Sequence, residues 1–97
     1  MEVKHEDNGN KGAFVLYENQ DKIGEISYTW AGEKTIDVKR TYVDPAYEGK
    51  GLAGTLYKSV IAMAREKELR IIPSCSYVSH LMVTKGRDQD LLFNANS

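Results

Sequence analysis

Apolar and polar positions alternate along the first half of the chain, then change period. Residues 13–17, Ala-Phe-Val-Leu-Tyr, predict a strand between an Asn/Gly-rich turn at 7–12 and a turn at 18–21. Residues 23–30 carry Ile23, Ile26, Tyr28 and Trp30 in partial alternation and predict a second strand. A turn at 31–34 leads into residues 35–43, where Ile36, Val38, Arg40 and Tyr42 alternate with Thr35, Asp37, Lys39, Thr41 and Val43. This third strand should have one apolar face for most of its length. Residues 3–6 are a candidate short strand in front. Turns this short between consecutive strands imply an antiparallel meander.

From Leu52 to Lys67 the period becomes helical, with Leu52, Leu56, Val60, Met63 and Ala64 at three- and four-residue spacing. Lys58, Arg65, Glu66 and Lys67 fall on the solvent side of this helix. Residues 69–75 then predict a strand. Strand, crossover helix and strand make a βαβ unit, so this strand should lie parallel to 35–43. Residues 76–85 predict a weaker, shorter helix that stops at Gly86. The tail Asn94-Ala95-Asn96-Ser97 is expected to be disordered. Pro73 removes a ladder donor from the predicted strand 69–75. It fits if that strand parts from its neighbour there, leaving backbone groups to bond something else.

The junction between the third strand and the helix carries the chemistry. It reads Tyr42-Val43-Asp44-Pro45-Ala46-Tyr47-Glu48-Gly49-Lys50-Gly51-Leu52-Ala53-Gly54. Three glycines among residues 49–54 let the backbone approach a ligand closely. The helix start behind them offers up to about four unpaired N–H donors and roughly half a positive charge. A pyrophosphate is the natural guest of such a site.

Composition narrows this reading. At 97 residues, one domain spanning 1–97 is expected, with a small core. Thirteen basic and fourteen acidic residues give a net charge of −1, against the basic surface that non-specific nucleic-acid binding requires. No apolar run approaches the ~18 residues of a membrane span. The charged start Met1-Glu2-Val3-Lys4-His5-Glu6-Asp7 does not read as a signal peptide, and a cytoplasmic location is the default expectation. The lone Cys75 has no internal disulfide partner. Asp88/Asp90 and Glu66/Glu68 lack metal-ligand spacing, so no metal is expected.

Taken in order, these features resemble the GNAT superfamily of N-acetyltransferases. The fold class implied is α/β (α+β): an antiparallel meander, then a βαβ unit with splayed parallel strands, then a short C-terminal helix. The family signature Arg/Gln-x-x-Gly-x-Gly/Ala falls on Glu48-Gly49-Lys50-Gly51-Leu52-Ala53, with Gly51 and Ala53 matching and Glu48 in the Arg/Gln place. The resemblance implies acetyl-coenzyme A as cofactor. Its pyrophosphate would lie on Glu48, Gly49, Lys50, Gly51, Leu52, Ala53 and Gly54. Its pantetheine arm would lie along Thr41, Tyr42 and Val43. The stretch Ile71-Ile72-Pro73-Ser74-Cys75-Ser76-Tyr77-Val78 looks like a compact acetyltransferase-like subfamily of about this length.

This chain also departs from the pattern. The two helices that usually follow the first strand have no room, and only the turn at 18–21 stands in their place, so an acceptor site should be open. Glu48 sets a carboxylate near the pyrophosphate, which Lys50 can offset. The tyrosine that often acts as general acid falls on Val83. Glu68 occupies a helix stop where glycine is common.

Three residues are candidates for catalysis, each with a plainer alternative. Cys75 is either a small buried residue or a thiolate that takes up the acetyl group. His80, five residues on, could serve as its base or could lack a role. Tyr77 could donate to the leaving thiolate or could only pack. Trp30 and Tyr28 read as core or sheet-face aromatics. The resulting expectation is transfer of acetyl to an unidentified amine or protein acceptor, by direct attack or through Cys75. A non-catalytic sensor or interaction module that binds acetyl-coenzyme A or coenzyme A is the alternative. An α/β domain with an empty glycine turn is the third reading.

Overall fold

A computed structural model describes residues 1–94. Its elements are β1 (Glu2–Asp7), β2 (Lys11–Glu18), β3 (Asp21–Gly32), β4 (Thr35–Val43), α1 (Leu52–Lys67), β5 (Arg70–Ile72) and the short helix α2 (Ser76–Ser79). The strands form one sheet in the order β1-β2-β3-β4-β5. β1 to β4 run antiparallel, and β5 joins β4 in parallel through Thr35–Arg70, Ile36–Ile71 and Asp37–Ile72. The expected meander and βαβ unit are both present. The tail expectation falls largely on residues 95–97, outside the described residues.

α1 covers one face of the sheet. Leu56, Tyr57, Val60, Met63 and Ala64 pack there with Phe14, Leu16, Ile26, Tyr28, Ile36 and Val38 in one buried cluster. Burying such side chains contributes roughly 1.5–3 kcal/mol each, and this term holds helix to sheet. Glu68 ends the helix in the left-handed conformation, φ 56° and ψ 47°, with its N–H on Ala64 and Arg65 carbonyls.

Three sequence expectations change. First, β4 does not keep one apolar face. The register jumps from Tyr28–Val38 to Ser27–Arg40, so Lys39 is an extra residue in a bulge. Beyond it Thr41 and Val43 are half-buried, while Arg40 and Tyr42 are exposed. Second, the strand expected at residues 69–75 spans only Arg70–Ile72, because Pro73 has no N–H to continue the ladder. Third, the helix expected at 76–85 keeps α geometry only to Ser79. It then widens into π-type turns over His80–Thr84, closed by Lys85 N–H on the His80 carbonyl at 2.9 Å.

The segment after Gly86 folds back onto α1. Arg65 bonds Asp90 at 2.7 Å and Asp88 at 2.8 Å, and the Tyr57 hydroxyl donates to Asp88 at 2.7 Å. Arg65 is exposed, as the sequence led one to expect, and its two ion pairs, which the sequence did not indicate, tie the fold-back to α1. Leu92 then bridges in parallel to Ile71 on the outer edge of β5.

Candidate functional site

The site is a fork between two parallel segments. β4 and the chain after β5 stay joined as far as Cys75 N–H on the Val38 carbonyl, at 2.8 Å. Pro73 turns the second segment away, and Cys75 then opens α2. β4 runs on for five residues, Lys39 to Val43, with β3 as its one strand neighbour. The Asp44 N–H donates to the Ile23 carbonyl of β3 at 2.8 Å. Backbone groups alternate sides along a strand. Those of Tyr42 therefore face β3, and those of Thr41 and Val43 face the fork.

Beyond the open end of the fork lies the glycine turn. Asp44 caps the single turn Pro45–Tyr47 by accepting from the Ala46 N–H at 2.9 Å. Gly49 and Gly51 then adopt φ of 83° and 75°, values an L-residue rarely adopts. A Cβ at either would meet nothing within 4 Å, so the space above the turn is open. Gly51 starts α1 with no side-chain cap and no acid in the first turn. Among the described residues, no hydrogen bond uses the N–H groups of Gly49, Lys50, Gly51, Leu52, Ala53 or Gly54. A cluster of unpaired donors at a positive helix end attracts an anion.

Charge around the turn is looser than the sequence suggested. Lys50 lies over the Tyr47 ring, its Nζ 5.4 Å from the centroid. Glu48 is exposed and forms no ion pair with Lys50 among the described residues.

Cys75 sits at the closed end of the fork, 6% exposed. Its Sγ lies 3.3 Å from Thr41 Oγ1, a contact that bridges the two diverging segments. His80 is exposed, and no hydrogen bond joins it to Cys75 among the described residues. The Tyr77 hydroxyl lies 3.9 Å from where a Cβ on Gly54 would stand, so its ring spans from α2 to the first turn of α1. Val83 is exposed.

Asp37 was not singled out in the sequence. It pairs with Ile72 at the base of the fork, and its Oδ2 takes Lys39 Nζ at 2.9 Å. Burial pushes its carboxyl upward, but the adjacent Ser74 and Lys39 outweigh this and hold it below the usual range. Oδ1 is nonetheless buried without a hydrogen bond of good geometry, since the Ser74 N–H is taken by the Ile72 carbonyl at 3.1 Å. Only the fold reveals this group, because nothing in the local pattern sets Asp37 apart.

Residues 6–91 match the profile of the family described as GCN5-related N-acetyl-transferase. The chain is 28% identical to Protein NATD1 of Danio rerio over 91 residues, covering 94% of this chain and 82% of that protein. The Xenopus tropicalis form matches over 53 residues at 33% identity, so this chain spans only 49% of that relative. Among solved structures, a GCN5-like protein of Staphylococcus aureus is 31% identical with TM-score 0.69, over 96% of this chain and 88% of that one. A GNAT family acetyltransferase of Elizabethkingia anophelis, solved with acetyl-CoA bound, is 22% identical with TM-score 0.57. The alignment covers 64% of this chain and 41% of that one, a likeness of fold.

Proposed function

The chain belongs to the GCN5-related N-acetyltransferase family, and on that footing we propose that it binds acetyl-coenzyme A and passes the acetyl group to an amine. One observation carries the reading: the unpaired donors of the glycine turn lie next to a fork whose inner edge offers the backbone of Thr41 and Val43. The pyrophosphate rests on the N–H groups of residues 49–54. The pantetheine arm pairs with Thr41 and Val43, and Tyr42 flanks it. The thioester then lies towards the closed end, beside Cys75.

The reaction is direct aminolysis. The neutral amine attacks the thioester carbonyl carbon while the Thr41 N–H, the fork-facing donor nearest Cys75, stabilises the oxygen that becomes negative. The C–S bond breaks and the leaving thiolate takes a proton from Tyr77, while the nitrogen, made cationic by the attack, loses a proton to water and becomes the amide; solvent then restores the Tyr77 proton. The two-residue hairpin Asn19-Gln20 joins β2 to β3, so nothing from that connection covers the acceptor side. A small amine, a protein N-terminus or a lysine all fit an open side. Transfer through acetyl-Cys75 would require the thiol to leave Thr41 and reach the thioester.

A second reading is binding without turnover. It is favoured by the buried thiol, by the absence of a Cys75–His80 hydrogen bond, and by Val83 in the usual acid position. Release of free coenzyme A with a mixed amine panel separates the two. Steady multiple turnovers establish the enzyme, and none across the panel, with acetyl-coenzyme A still bound, establishes the binding module. Intact mass after incubation with acetyl-coenzyme A tests the covalent route. A denaturation-stable acetyl adduct that vanishes in Cys75→Ala supports it, and no such adduct leaves direct transfer.

A further inference from the structure

We propose that the open cleft at the Trp30 end of the molecule is a second binding site, for a small organic cation of the amine or guanidine type. The cleft holds about 750 Å³ and is lined by His5, Asp7, Trp30, Glu33, Met63 and Lys67. That volume falls within the range of small-molecule sites. Met63 lies twelve residues beyond Gly51 along α1, about 18 Å at the helical rise, so this cleft is remote from the glycine turn.

Its polar wall is held in place by neighbours. Asp7 accepts from the Gly9 N–H at 2.7 Å, the Tyr28 hydroxyl at 2.6 Å and Trp30 Nε1 at 2.9 Å. The Tyr28 proton goes to Asp7, so its oxygen accepts from His5 Nε2 at 2.7 Å. The His5 ring stacks on Phe14 at 4.2 Å, and Trp30 meets Tyr28 edge-on at 6.0 Å, which fixes both rings. Gly12 makes room for the hydroxyl, since a Cβ there would collide with it. Glycine inside a strand costs stability, so the hydroxyl's place is built at some expense.

The wall selects a donor. Asp7 and Glu33 offer acceptors, and Trp30 offers an aromatic face that attracts cations. Burial acts against the Asp7 carboxylate, but its bonds to Tyr28, Gly9 and Trp30 prevail and keep it ionised. Two ammonium groups oppose these acceptors at the rim, that of Lys67 and that of Lys34, whose Nζ donates to the Lys67 carbonyl at 3.1 Å. An N–H-bearing cation uses these acceptors and the ring together, whereas an anion would meet Asp7 and Glu33.

Trp30 is the only tryptophan in the chain, so its fluorescence reports the cleft alone. The test is titration of the full chain with agmatine, with sodium chloride and succinate as controls. Agmatine should give a saturable change that neither control reproduces and that persists with saturating acetyl-coenzyme A. Glu33→Gln, an exposed turn substitution, should weaken agmatine by about two- to fivefold, the worth of one exposed charge contact. No saturable change above the controls, an identical curve for Glu33→Gln, or competition between agmatine and acetyl-coenzyme A would each overturn the proposal.

Discussion

Glycines and one cysteine hold most of the local meaning. Gly51→Val puts a β-branched residue at φ 75°, a conformation that costs on the order of 1–3 kcal/mol. Open space above it means the fold should survive with a lower melting temperature. The new side chain would stand where the phosphates are proposed to lie. Coenzyme A should therefore stop raising the melting temperature of this variant while still raising that of the wild type, and equal shifts in both would mean the phosphate site is misplaced. Gly12→Ala tests a different demand. Its methyl would strike the Tyr28 hydroxyl and approach the Glu6 carbonyl at 2.8 Å, so unfolding should cost about 1–3 kcal/mol less than in wild type. Denaturant titration measures this directly. The demand at Gly51 was legible in the sequence, because a glycine turn before a helical pattern has a physical signature. The demand at Gly12 was not, because it depends on a tyrosine sixteen residues away in the next strand.

Periodicity reports elements well where one force dominates. α1 runs over the predicted span Leu52–Lys67, because its apolar stripe and its Gly51 and Glu68 ends agree. β5 and α2 came out shorter than expected, because Pro73 and the wide turns at His80–Thr84 act through backbone hydrogen bonds that side-chain pattern does not encode. The bulge at Lys39 was equally hidden, and it is what turns Thr41 inward onto Cys75. The fold-back on α1 has its own pH signature. The Tyr57 hydrogen bond and the Arg65 ion pair, against some burial, hold Asp88 below its ordinary value of 3.8. A folded-state pKa below the unfolded one gives stability that is present above about 3.8 and is lost as pH falls through the folded value. Asn suits the left-handed φ of 48° at this position, so Asp88→Asn removes the charge with little backbone strain. Its melting temperature should fall less steeply than that of wild type below that pH, and parallel acid limbs would show that Asp88 is not part of the acid response.

The whole molecule is a helix layer on a sheet. Its short axis is 19 Å, too thin for a third layer beside a helix about 10 Å across. The sheet face away from α1 is mixed: Lys4, Glu25 and Ser27 share it with Val15, Tyr17 and Tyr42, and Lys4 and Arg40 lie over the two tyrosine rings. Among the described residues no helix is long and apolar enough to cross a membrane. The glycine turn and the fork lie towards one end of α1, and the Trp30 cleft lies at the other. In the proposed complex, acetyl-coenzyme A occupies the turn and the fork together. The most direct test follows backbone amide resonances during titration with acetyl-coenzyme A. Saturable shifts are expected at residues 49–54 and at Thr41 and Val43, with the Trp30 indole unmoved. Shifts confined to other residues, or none at saturating cofactor, would contradict it.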